Sequence, residues 1–279
     1  MILFIFAILT ILITLQVSQT SVIPDQQNPQ ELHLKNATIK EFPSSMALFY
    51  NNTFRCSATL ITRKTAITTA TCCIVFGIVL DRINNYGILG EINSESENAV
   101  KVMFDKIIVH PGIDISYNDS IGDYKIIYMP TEEERTDLCL MILDKEVTVT
   151  DYVKPIALPT ADVSYSHKAI ANGWQLEKST SRYILKKMNA EITKKQYCEN
   201  HLTFYKLEYK EMCGKTSHPT SCLEESGGSL IINENNEDKL VGILRTSYGC
   251  RCADDGCPLI YIEVKKLLQW ILQFAINDD

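Results

Sequence analysis

The sequence predicts an all-β fold, a sandwich or a barrel, finished by one C-terminal helix. Short runs rich in Val, Ile, Thr, Tyr and Phe recur from Met46 onward, broken by turn residues: Met46–Tyr50, Ala58–Ile61, Ala66–Thr69, Val100–Val109, Leu138–Leu143 and Leu240–Leu244. β-branched and aromatic side chains suit a pleated, half-buried surface, and many short strands without an internal repeat suit a stacked or closed sheet. At the far end the period changes. Val264, Leu267, Leu268, Ile271 and Phe274 recur at helical spacing, which predicts an amphipathic helix. A chain of 279 residues, 46% hydrophobic and 22% charged, can bury a substantial core.

Two segments precede the strands. Residues 1–20 read as a secretory signal peptide, because Met1 to Val17 is almost wholly apolar and is followed by Ser18, Gln19 and Thr20. No Lys or Arg precedes that run, and the first basic residue is Lys35, so an uncleaved anchor helix stays open as the alternative. Residues 21–30 form a short polar segment with Pro24 and Pro29, and the main domain is expected over 31–279. The polar span Tyr117–Thr136, with Glu132, Glu133 and Glu134 in a row, reads as an exposed loop.

Ten cysteines without paired C-x-x-C units point to an oxidising compartment and to disulfides rather than a metal site, and no cofactor is expected. Sequons at Asn36, Asn51 and Asn118 fit glycan-bearing loops of an extracellular protein. A net charge of −7 with no run of lysines or arginines argues against a nucleic-acid partner. With the signal removed, no further segment is long and apolar enough to engage a membrane.

The most specific stretch is Cys222-Leu-Glu-Glu-Ser226-Gly227-Gly228-Ser229-Leu230, followed by Leu240-Val-Gly-Ile-Leu and Tyr248-Gly249-Cys250. Upstream lie Phe54-Arg-Cys56-Ser-Ala-Thr-Leu60-Ile61, Thr65-Ala-Ile-Thr68-Thr69-Ala70-Thr71-Cys72, Asp137-Leu-Cys-Leu140-Met-Ile142-Leu143 and Asn172-Gly173-Trp174, and Trp270-Ile271 closes the chain. In this order they resemble the motifs of the trypsin- and chymotrypsin-like (S1) serine proteases, from about Glu31 to Phe274. The resemblance implies two six-stranded antiparallel β-barrels with a C-terminal helix, with Asn172-Gly173-Trp174 standing in for a family turn. It pairs Cys56 with Cys72, Cys198 with Cys213, and Cys222 with Cys250. Cys73, Cys139, Cys252 and Cys257 remain, and four cysteines allow three connectivities; bridges Cys73–Cys139 and Cys252–Cys257 are one of them.

The resemblance also assigns roles. The family mechanism needs a serine nucleophile, a histidine base and a buried aspartate that orients the histidine. Ser226 and Asp137 match the first and last, whereas Thr71 stands in the histidine slot. A threonine hydroxyl cannot accept the serine proton near neutral pH and return it to a leaving amine. None of the five histidines, His33, His110, His167, His201 and His218, lies beside the Cys72 motif, and His110 and His218 read as loop residues. Glu224 replaces the glycine whose N–H helps hold the oxyanion; a side chain there resists the glycine geometry, and a carboxylate repels the developing charge. The segment matching the family's cleaved amino-terminal start is Glu31-Leu32-His33-Leu34, with no Lys or Arg before it, and Glu225 takes the place of the aspartate that would receive the new amine. Thr220 stands where trypsin-like members carry an acid. Arg245 stands where the pattern has serine, and is expected to pair with Glu224 or Glu225 and plug the cleft. Ser226 and Asp137 then read as structural, a turn serine and an acceptor for buried donors.

These substitutions imply a secreted, non-catalytic serine protease homologue, of a kind common among arthropods. It would act by protein binding, as a cofactor, decoy or regulator of extracellular proteolysis. Its partners would be secreted proteins such as an active protease, an inhibitor or a receptor. The alternative is a weakly active or unconventional serine-type endopeptidase.

Overall fold

The computed structural model describes residues 34–75, 77–80, 82–118, 123–128, 135–202, 205–216, 223, 226–247 and 256–275. The expected signal peptide and polar segment lie outside these residues. Strands of the first half are β1 (Lys35–Asn36), β2 (Ser45–Tyr50), β3 (Thr53–Thr62), β4 (Thr65–Thr68), β5 (Ile74–Val75), β6 (Ile78–Val79), β7 (Asn85–Leu89), β8 (Val100–Val109), β9 (Ile113–Asn118), β10 (Asp123–Tyr128) and β11 (Cys139–Leu143). Those of the second half are β12 (Lys168–Glu177), β13 (Arg182–Thr193), β14 (Glu211–Thr216), β15 (Ser229–Glu234), β16 (Glu237–Ser247) and β17 (Pro258–Glu263).

β11, β4, β3, β2, β7 and β8 close into one antiparallel barrel. β12 to β17 form a second, in the order β13, β12, β15, β16, β17, β14, closed by pairing of β13 with β14, and β1 adds to β13 outside the ring. Closure removes the unpaired strand edges that would otherwise invite association. The sequence alternates to suit. In β13, buried Met188, Ala190 and Ile192 face the barrel interior between exposed Asn189 and Glu191.

Each barrel has its own apolar filling, with Met46, Leu60, Phe104 and Met141 in the first and Met188, Leu230, Leu244 and Tyr261 in the second. A third cluster, including Leu138, Leu140, Trp174, Ile243 and Ile271, lies between them and takes in the C-terminal segment. Burying each such side chain contributes about 1.5–3 kcal/mol. That segment is a 3-10 turn over Val264–Leu267 running into an α-helix over Leu268–Phe274.

Ser57 of β3 ties the barrels together. Its N–H donates to the Ser226 carbonyl at 2.9 Å, its Oγ accepts the Trp174 N–H at 2.8 Å, and its own carbonyl accepts the Thr68 hydroxyl at 2.8 Å. A Cβ on Gly173 would lie 3.3 Å from that same Oγ, so the glycine lets β12 approach.

The bridges Cys56–Cys72, Cys198–Cys213 and Cys73–Cys139 are formed, with Cα separations of 5.9, 5.9 and 6.6 Å. Cys257 is also disulfide-bonded, and Cys222, Cys250 and Cys252 lie outside the described residues.

Three expectations need correction. Part of Tyr117–Thr136 is not loop, since β9 and β10 pair as an antiparallel hairpin with Ile115 opposite Ile126. The alternating Ile113-Asp-Ile-Ser-Tyr117 that drives this pairing is masked in composition by the acidic residues that follow. Asn172-Gly173-Trp174 lies within β12, not in a turn, with Asn172 opposite Ser229. His110 is 8% exposed rather than a surface residue, because Trp270 of the C-terminal helix packs on its ring at 4.7 Å between centroids.

Candidate functional site

Thr71 sits in the helical turn Ala70–Cys73 that follows β4. Cys72 ties this turn to β3 and Cys73 ties it to β11. The Arg55 guanidinium donates to the carbonyls of Thr71 at 3.1 Å, Cys72 at 3.4 Å and Ile74 at 2.7 Å. Carbonyls that a short helix leaves unbonded are thereby satisfied.

Asp137 lies just before β11, 4% exposed. Its Oδ1 accepts the Thr71 N–H at 2.9 Å, and the Thr71 hydroxyl reaches its Oδ2 at 3.4 Å. Burial pushes the Asp137 carboxyl above its ordinary range, opposed by the Thr71 donors and the nearby Arg245 guanidinium.

Ser226 stands at the turn before β15. The following Gly227 has φ +86°, and a Cβ there would lie 1.9 Å from the Ser57 carbonyl oxygen, so only glycine fits. The Gly227 N–H bonds the Leu244 carbonyl, and the Leu244 N–H bonds that of Gly228, both at 2.7 Å. The Ser226 hydroxyl donates to the backbone carbonyl of Arg245 at 2.8 Å. A peptide carbonyl is too weak a base to take that proton.

Arg245 joins the parts. Its Nε lies 3.5 Å from Asp137 Oδ2 and its Nη1 2.5 Å from Glu211 Oε1, and Nη1 also bonds the Tyr205 hydroxyl. The guanidinium lies 5.7 Å from the centre of the Tyr205 ring. These groups border a recess of about 290 Å³. The partners expected for Arg245, Glu224 and Glu225, fall outside the described residues, as does Thr220.

Two of the five histidines are held elsewhere. His110 Nδ1 accepts the Gly112 N–H at 2.9 Å, and burial together with the Lys210 charge lowers its pKa to about 4. His201 Nδ1 lies 2.7 Å from the Tyr197 carbonyl. His33 and His218 lie outside the described residues. Of the sequons, Asn36 is exposed in β1 and Asn51 is exposed in the turn between β2 and β3, while Asn118 ends β9.

The structure thus brings Thr71, Asp137, Ser226 and Arg245 together. Sequence reasoning does not reach Arg55, Tyr205 or Glu211. The available signal for Glu211 is its place beside Met212 and Cys213 at the head of an apolar strand, where a carboxylate needs a partner.

A family model described as Trypsin matches residues 33–271. Epidermal growth factor-binding protein type B of Mus musculus is 29% identical over 240 residues, which covers 82% of this chain and 83% of that protein. Phenoloxidase-activating factor 1 of Holotrichia diomphalia is 27% identical over 253 residues, 83% of this chain and 66% of that protein, so just under two thirds of that relative is spanned.

Proposed function

The chain belongs to the trypsin family, and from that premise we propose that it is a secreted, non-catalytic member that works by binding other proteins rather than by cutting them. The observation that carries this reading is Thr71 bonded to Asp137, where a working member needs an imidazole. Losing the base alone costs on the order of 10⁶ in turnover in a comparable triad enzyme. Glu224 in the glycine slot of the oxyanion site works in the same direction.

The disulfides among the described residues and the apolar first segment support an extracellular location. The two relatives are named for binding and for activation, which fits a role exercised on other proteins. The contact surface would be the altered cleft and its loops, because loops on a rigid barrel carry recognition. An active protease, an inhibitor or a receptor is the class of partner this surface suits. The persistence of Ser226 and of a buried Asp137 in the serine and aspartate slots favours the second reading, a weak serine-type endopeptidase.

A fluorophosphonate probe separates the two. Neither the mature protein nor Ser226→Ala is expected to be labelled. Labelling of the wild type that disappears in Ser226→Ala would establish an activated serine and overturn the binding-only reading.

A further inference from the structure

The geometry points to Arg245 as an ionic staple between the barrels, one guanidinium serving as shared counter-ion for Asp137 of the first barrel and Glu211 of the second. Asp137 leads into β11 and is bonded to Thr71, both on the first barrel. Glu211 opens β14, and its carboxylate accepts the Tyr205 hydroxyl at 2.8 and 3.0 Å and the Glu208 N–H at 2.8 Å. Arg245, on β16, reaches both carboxylates.

The staple is the inner end of a seam. Three consecutive residues of the first barrel, Arg135, Thr136 and Asp137, each meet a residue of the second. Arg135 pairs with Glu208 at 2.8 Å, the Thr136 hydroxyl accepts from Lys210 Nζ at 3.0 Å, and Asp137 meets Arg245. The contacts differ in weight. The Arg135–Glu208 side chains are 36% and 19% exposed, and screened pairs of that kind contribute little. The Arg245, Asp137 and Glu211 side chains are 17%, 3% and 5% exposed. Removing the cation there takes the guanidinium from two buried carboxylates that keep only their hydrogen-bond donors and more distant charges, which is destabilising. Lysine could not substitute, because only the planar fork of arginine reaches two acceptors in fixed directions. The serine of the family pattern could carry no such charge. The inference concerns the joining of the barrels and stands apart from the binding reading.

The test is a double-mutant cycle on the full secreted chain with Arg245→Leu and Asp137→Asn, read as thermal midpoints, with hydrogen exchange measured on the Arg245 variant. Each single change should lower the midpoint, and the double variant should lose clearly less than the sum. Exchange should rise together in β11 of the first barrel and β14 of the second. Additive midpoint losses, or an exchange increase confined to β16, would overturn the staple. If Arg245→Leu does not accumulate as folded protein, Arg245→Lys takes its place: a joint rise in β11 and β14 supports the inference, and a rise in β16 alone refutes it.

Discussion

Thr71 offers Asp137 two donors from one residue, its N–H at 2.9 Å to Oδ1 and its hydroxyl at 3.4 Å to Oδ2. Oδ2 is also the oxygen that Arg245 approaches. An imidazole introduced at position 71 would have to compete with the guanidinium for that atom. Thr71→His alone should therefore cleave a panel of fluorogenic peptides no faster than the wild type, and efficient turnover by this single variant would contradict the assignment.

Arg55 holds the turn that carries Thr71, through three carbonyls. Arg55→Met keeps most of the side-chain length and removes every donor. A buried acceptor left unmet costs about 1–3 kcal/mol. The urea midpoint should fall accordingly, whereas exposed Arg82, paired with Asp105 at 3.4 Å, should tolerate the same change with little loss.

The disulfides should rank by the length of chain they close. Cys73–Cys139 spans 66 residues and Cys198–Cys213 spans 15. Loop-closure entropy assigns them about 4 and about 3 kcal/mol respectively. The paired change Cys73→Ser with Cys139→Ser should thus lower the thermal midpoint more than Cys198→Ser with Cys213→Ser; equal or reversed losses would show that strain or residual structure dominates.

His110 sets a pH dependence with a definite sign. Its folded pKa is lowered to about 4 from an ordinary 6.5, so the unfolded chain takes up the proton first. Stability from this group is complete above about pH 6.5 and is lost as the pH falls toward 4, by on the order of 2–3 kcal/mol. Glu41 and Glu177, whose pKa values are lowered by Lys187 and Lys186, lose their contributions only further down the scale. His110→Leu should flatten the decline of the denaturation midpoint between pH 6.5 and 4; an unchanged slope would remove His110 as its source.

What the sequence reveals depends on whether a residue's partner is local or distant. The β-rich runs predict a sandwich or barrel, and the family resemblance of the ordered motifs implies both barrels and a shared place for Thr71, Asp137 and Ser226. The Cys73–Cys139 bridge is one of three connectivities open to the four remaining cysteines, and the structure selects it. Arg245 is legible as an oddity, but not its bond to Glu211, because 34 residues separate them and the Lys- and Glu-rich run up to Glu211 hides the apolar cue of Met212 and Cys213 that follows it. His110 is misread for the same reason, its burial being imposed by Trp270 at the other end of the chain. The β9–β10 hairpin is missed because charge in the following residues outweighs a short alternating pattern.

Ser57 has one further consequence. A single residue of the first barrel is bonded through its N–H and side chain to Ser226 and Trp174 of the second, and swinging the halves apart would break both contacts at once. At this junction the two barrels are therefore coupled, and any motion that parts them has to give up a first-barrel donor and a first-barrel acceptor together.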